Sequence, residues 1–119
     1  MKDCKVIYLA SGKAKLKSKN VTYNDLYELA DLNCDMLEVD LKPYDVILAS
    51  PPCNFYSKAR GNLPPSKYAE NTKHLLPDIL KKCISLNKPF IIENVRNRPL
   101  FKKLGYFDFP CFVYFLGRH

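Results

Sequence analysis

With 119 residues, 47% of them apolar, the chain is long enough for one domain with a real core and too short for two. Nineteen Lys and Arg against 12 Asp and Glu leave a formal charge of +7, which favours a polyanionic partner and argues against an acidic surface that mimics one. The amino terminus lacks a long apolar segment, so no secretion signal or membrane span is expected and a reducing cytoplasm is the default location.

Residues 5–10 read as a first buried strand, stopped by Ser11 and Gly12. A basic stretch, residues 13–20, leads to a second strand over residues 21–24 that closes on Asp25. Residues 26–33 fit one or two helical turns, and a short third strand is expected within residues 34–39. The run Val46, Ile47, Leu48, Ala49 is a fourth, buried strand. Gly, Asn and Pro make residues 58–66 a loop, and Ser66 is placed to cap a helix running to about Leu86. Tyr68, Leu75, Ile79, Leu80, Cys83 and Leu86 fall near one face of it, and Pro77 predicts a kink or a junction of two helices there. A fifth strand is predicted over residues 90–92, then a short helix over 99–104 and an aromatic strand or hairpin over 106–116, broken at Pro110. Strands alternating with helical stretches define an α/β domain with a mostly parallel, Rossmann-like sheet.

Two strand ends carry the chemistry. After Ala49 the chain reads Ser50-Pro51-Pro52-Cys53-Asn54-Phe55-Tyr56-Ser57. Two prolines fix φ and remove two backbone donors, so the strand stops and Cys53 is handed to a stiff loop. After Ile92 comes Glu93-Asn94-Val95. In open α/β sheets ligands bind at the carboxyl ends of the strands, and a thiol beside a carboxylate there makes a nucleophile with an acid/base partner. The other cysteines, Cys4, Cys34, Cys83 and Cys111, form no Cys-x-x-Cys pair, and His74 and His119 match no ligand spacing, so no disulfide framework and no metal site is indicated.

Pro52-Cys53-Asn54-Phe55-Tyr56-Ser57 resembles the catalytic Pro-Cys-Gln-x-Phe-Ser loop of DNA cytosine-5 methyltransferases, and Glu93-Asn94-Val95 resembles their Glu-Asn-Val motif. Order, separation and strand context agree over residues 35–95, and the wording is also similar to short methylase-like proteins of phages and prophages. The resemblance implies a Rossmann-like sheet of the S-adenosylmethionine-dependent methyltransferase type, incomplete, with residues 1–119 as one methyltransferase-like domain lacking a target-recognition region. It implies S-adenosylmethionine as cofactor and DNA as partner. Cys53 is then the nucleophile that adds to C6 of cytosine, Glu93 the acid at N3, and Arg118, in Gly117-Arg118-His119, the arginine facing O2. Gly12, Asp25, Asp35, Ser50 and Pro52 correspond to the cofactor side, with Asp25 at the ribose and Asp35 at the adenine. Asn54, Ser57, Lys58 and Arg60 correspond to the DNA side.

The chain departs from that pattern at the first strand end. Leu9-Ala10-Ser11-Gly12-Lys13-Ala14 has one glycine where the family has a Phe-x-Gly-x-Gly loop, and the interval to Asp25 shortens the first helix. Two further readings therefore stay open: a non-catalytic descendant that binds DNA or a host defence protein as an inhibitor or regulator, and a fragment completed by a second polypeptide.

Overall fold

The computed structural model describes residues 4–12, 18–26, 29–52, 54–55, 61–95 and 112–117. They form one sheet in the order β2-β1-β3-β4-β5, with β1 at Val6–Leu9, β2 at Val21–Tyr23, β3 at Val46–Ala49, β4 at Phe90–Val95 and β5 at Phe112–Gly117. The first four are parallel, and β5 pairs antiparallel to β4. This is a mixed α/β architecture with the parallel core of a Rossmann-like sheet.

Alternation along the strands selects one packed face. Ile7, Ile47 and Phe90 lie in register across β1, β3 and β4, and Leu9, Ala49 and Ile92 form the next such row. All six are essentially inaccessible to solvent and belong to one apolar cluster with Leu75, Leu76, Ile79, Leu80 and Cys83. At about 1.5–3 kcal/mol for each large side chain taken out of water, this layer is the main source of stability. The opposite face carries half-buried Val6, Tyr8, Val46 and Leu48.

The helical segment is two helices, α1 at Lys67–Thr72 and α2 at Leu75–Leu86. Ser66 caps α1 as expected, its Oγ accepting from the Ala69 amide at 3.1 Å. The break falls at Lys73 and His74, not at Pro77, because Pro77 lies in the first turn of α2, where a missing N–H leaves no intrahelical bond unmade. The two helices do not share one periodic face, so Tyr68 leaves the buried stripe of α2 and stands 56% exposed. Asn87 ends α2 in the left-handed conformation at φ 56°.

Residues 34–39 correct another expectation. They form a 3-10 turn, Met36–Glu38, rather than a strand, because the Asp35 carboxylate caps the Leu37 amide at 2.8 Å and commits the backbone to a turn. Residues 26 and 29–33 hold turns and bends rather than helix. The expected helix over 99–104, and the part of the aromatic segment before β5, lie outside the described residues.

Two lysines fasten the chain between the 3-10 turn and β3. Lys82 Nζ donates to the Leu37 and Val39 carbonyls, each at 2.9 Å, and Lys88 Nζ donates to Leu41, Lys42 and Tyr44 at 3.1, 2.6 and 2.6 Å. Hydrogen bonds from a charged donor contribute about 1.5–3 kcal/mol. Lys88→Met should lower unfolding free energy by about 2 kcal/mol in urea denaturation, whereas Lys81→Met, on an exposed position of α2, should change it by less than about 0.5 kcal/mol.

Candidate active site

The strand order has a reversal: the chain leaves β1 for β2 on one side and then returns to β3 on the other. The carboxyl ends of β1 and β3 therefore diverge, and a crevice opens between the loops that follow them. A cleft of about 400 Å³ lies there, lined by Ala10 and Gly12 from the first loop and by Ser50, Pro51, Pro52 and Asn54 from the second. Its other walls come from Asn24, Asp25 and Leu26 after β2, from Cys34, Asp35 and Met36, from Tyr68, Thr72 and Leu75, and from Glu93 and Asn94 of β4.

At the β1 end, Ala10 and Gly12 both adopt left-handed backbone, φ 51° and 68°, which lets the chain double back over the sheet edge. The Gly12 amide donates to Asp25 Oδ2 and the Leu26 amide to Asp25 Oδ1, both at 2.7 Å, so this carboxylate braces the turn. Behind it, Asn24 is fully buried. Its Oδ1 accepts from the Ala10 amide at 3.3 Å, and its Nδ2 donates to the Leu32 and Cys34 carbonyls at 3.0 Å. One side chain thereby joins the ends of β1 and β2 to the segment that carries Asp35.

The β3 end is pinned from both neighbours. The Ser50 amide donates to the Leu9 carbonyl at 3.1 Å, and Ser50 Oγ and Tyr8 OH share a hydrogen bond at 2.9 Å. From the other side Asn94, 2% exposed, donates through Nδ2 to the Pro51 carbonyl at 2.8 Å. That bond links the two sequence motifs directly. Glu93, half-buried, lies one position beyond Ile92, the last residue of β4 paired with β3, and is held there by pairing with Tyr114 of β5.

Of the residues singled out in the sequence, Gly12, Asp25, Asp35, Ser50, Pro52, Asn54 and Glu93 line this one cleft. Cys53, Ser57, Lys58, Arg60 and Arg118 lie outside the described residues, although Pro52 and Asn54 on either side of Cys53 both line the cleft. Sequence reasoning did not single out Asn24 or Asn94 as side chains that build the site. Each is a carboxamide at a strand end, and its burial shows only in the fold. It placed Tyr68 on a helix face and did not single out Thr72, and both line the cleft from α1.

The described lining holds three carboxylates, Asp25, Asp35 and Glu93, and no lysine or arginine, so that lining is acidic in a basic chain. Apolar Met36, Leu26 and the two prolines complete it. Such a site suits a ligand with apolar faces, hydroxyl groups and positive charge, and opposes a polyphosphate. Among the described residues no group of three or more His, Cys, Asp and Glu is arranged to hold a metal ion, and no helix is long and apolar enough to cross a membrane. No family model, no curated protein and no solved structure matches this chain.

Not every thiol can serve as a nucleophile here. Burial pushes the Cys83 thiol from 9.0 up to about 12, with the Lys82 charge acting more weakly in the opposite sense. A raised folded value leaves stability untouched below about pH 9 and removes it progressively as pH rises towards 12. At pH 8 a thiol reagent should therefore spare Cys83 in the native protein and label it only on unfolding, read by mass spectrometry. Labelling of Cys83 as fast as that of exposed Cys4 would contradict the packing described. For the loop itself, Asn94→Ala should cost about 1–3 kcal/mol, because the Pro51 carbonyl loses a buried donor. Hydrogen exchange should then quicken in the residues flanking Pro51 before it does so in α2.

Proposed function

We propose that this chain is a cytosine-5 methyltransferase-type domain that acts on cytosine in DNA, with Cys53 as nucleophile and Glu93 as its acid partner. The observation that carries the reading is the Asn94 to Pro51 hydrogen bond, because it couples Glu-Asn-Val to the Pro-Pro-Cys-Asn loop at the rim of one cleft. S-adenosylmethionine fits the donor set: its positive charges suit the acidic lining at Asp25 and Asp35, and its ribose and adenine match these two residues and the apolar wall at Met36. Bound there, it supplies an electrophilic methyl group for cytosine C5.

The chain's own residues do the rest. Cytosine C5 is a poor nucleophile, so the Cys53 thiolate forms a bond to C6 and moves the electron pair towards C5. Glu93 donates a proton at N3, which neutralises the charge that develops in the ring and fixes the base edge. Once C5 carries the methyl group, solvent takes up the C5 proton, the electron pair reforms the C5–C6 double bond and expels Cys53 as thiolate, and N3 returns its proton to Glu93. Asn94 and the two prolines hold the loop that bears Cys53, and Ser50 is held in turn by Tyr8.

A specific observation favours a second reading, a non-catalytic descendant that binds DNA or a host defence protein. Both Asp25 oxygens already accept backbone amides, so less of this carboxylate remains for a ribose. Calorimetric titration with S-adenosylmethionine separates the two readings: weak binding is expected of the enzyme, and no heat at millimolar ligand supports the descendant. The chemistry is tested with DNA bearing fluorine at cytosine C5, where loss of the C5 proton is blocked and the enzyme stays attached. An adduct requiring S-adenosylmethionine should map to Cys53, vanish in Cys53→Ser, and fall by about 10²–10⁴-fold in rate in Glu93→Gln. An adduct on any other cysteine rules the mechanism out.

A further inference from the structure

Large apolar side chains exposed among the described residues are few, and two of them line the cleft. Leu26, Leu29, Leu63, Tyr68 and Ile91 are the ones exposed, and Leu26 and Tyr68, 77% and 56% exposed, are themselves part of the cleft wall. Leu29 and Leu63 are near these two in sequence but do not line the cleft, so Leu26 and Tyr68 are the exposed large apolar side chains that do among the described residues. Tyr68 is not needed for the core, since α1 buries Ala69 rather than its neighbour. On the adjoining loop, Phe55 follows cleft residue Asn54, and Lys73 Nζ stands 5.3 Å from the Phe55 ring centre. The Lys73 ammonium also pairs with Glu70 at 2.9 Å, so the exposed Tyr68 ring with the Phe55 ring beyond it, on a chain of charge +7, matches unstacked bases better than the sugar-phosphate exterior of a duplex.

We propose that the cleft takes its base from a single polynucleotide strand, and that Tyr68 stacks on the nucleotide next to the one that enters. This rests on reading the cleft as a base-modifying site, but it concerns how the strand is held, not what is done to it. Tyr68 offers a flat ring face to a base, and Leu26, on a different cleft segment, adds apolar surface that suits bases and not phosphates. Duplex DNA presents phosphates outward and keeps its base faces covered, so entry from a duplex requires extrusion of the base, whereas a single strand presents bases already unstacked.

The test uses the full chain carrying Cys53→Ser, so that no covalent step contributes, and fluorescence anisotropy with a labelled oligodeoxycytidine, the same strand annealed to its complement, and the same backbone with abasic positions. The unsubstituted strand should bind at least about tenfold more tightly than the duplex. Tyr68→Ala should weaken single-strand binding by roughly ten- to a hundredfold, while Tyr68→Phe, which keeps the ring, stays within about twofold. The decisive readout is coupling: abasic positions should weaken binding to the Tyr68 protein and make little further difference to Tyr68→Ala. A merely structural role would not produce that coupling. Oligocytidine in place of the deoxy strand distinguishes ribose from deoxyribose, and Tyr68-dependent binding of either supports the proposal. Tighter binding to duplex, or an unchanged abasic penalty in Tyr68→Ala, overturns it. Because no arm needs S-adenosylmethionine or Cys53, failure of methyl transfer with coupling intact counts against the methyltransferase reading alone.

Discussion

A parallel strand that ends leaves backbone amides and carbonyls without ladder partners, and at the carboxyl edge of this sheet two buried carboxamides satisfy them. Asn24 answers the Ala10 amide and the Leu32 and Cys34 carbonyls, and Asn94 answers the Pro51 carbonyl. Leaving a buried polar group unpaired costs about 1–3 kcal/mol, so these contacts decide where four chain segments run. The cleft is the space that remains between them. Its walls are strand ends and turns held from behind, which is what a site needs if its groups are to be placed before a ligand arrives.

Charge in this molecule works on two scales. The surplus of cations is a property of the whole chain, yet Lys82 and Lys88 spend their ammonium groups on carbonyls of the segment between the 3-10 turn and β3. They serve packing and leave fewer cations for a partner. The described lining of the cleft has the opposite sign, through Asp25, Asp35 and Glu93. The net positive charge of the whole chain and the carboxylates of the described cleft lining are thus of opposite sign, on two different length scales.

Strands were legible in the sequence because their signal is local. Residues 46–49 form an apolar run closed by two prolines, and β3 is Val46–Ala49. The first strand and Ser66 as a cap were legible for the same reason. Residues 34–39 were not, because a single carboxylate, Asp35, outweighs the β-favouring pattern of Met36, Leu37 and Val39. Nor was the helix break, since Pro77 reads as a break yet belongs to a first turn, where proline is well tolerated. At the site, acidic residues and prolines stood out by type. Asn24 and Asn94 did not, because a buried amide matters through partners distant in sequence. Tyr68 was placed near the same face as Leu75 to Leu86, and a break at Lys73 and His74, before Leu75 rather than at Pro77, takes it off that face.

β5 gives the edge its last support. Ile92 is the final residue of β4 paired with β3, so Glu93, Asn94 and Val95 extend past the parallel sheet. A strand end in that position frays, because its amides have no neighbour on the β3 side. Antiparallel pairing of Glu93, Asn94 and Val95 with Tyr114, Val113 and Phe112 supplies partners from the other side. The carboxylate is therefore carried beyond the sheet edge on regular strand backbone rather than on a loop. The same extension brings Asn94 within reach of Pro51, so the acid and the loop beside it are positioned by one strand. An antiparallel neighbour on an otherwise parallel sheet is common. Here its consequence is that Glu93 and the Pro51 loop cannot shift independently without breaking the Asn94 bond or the β4–β5 ladder.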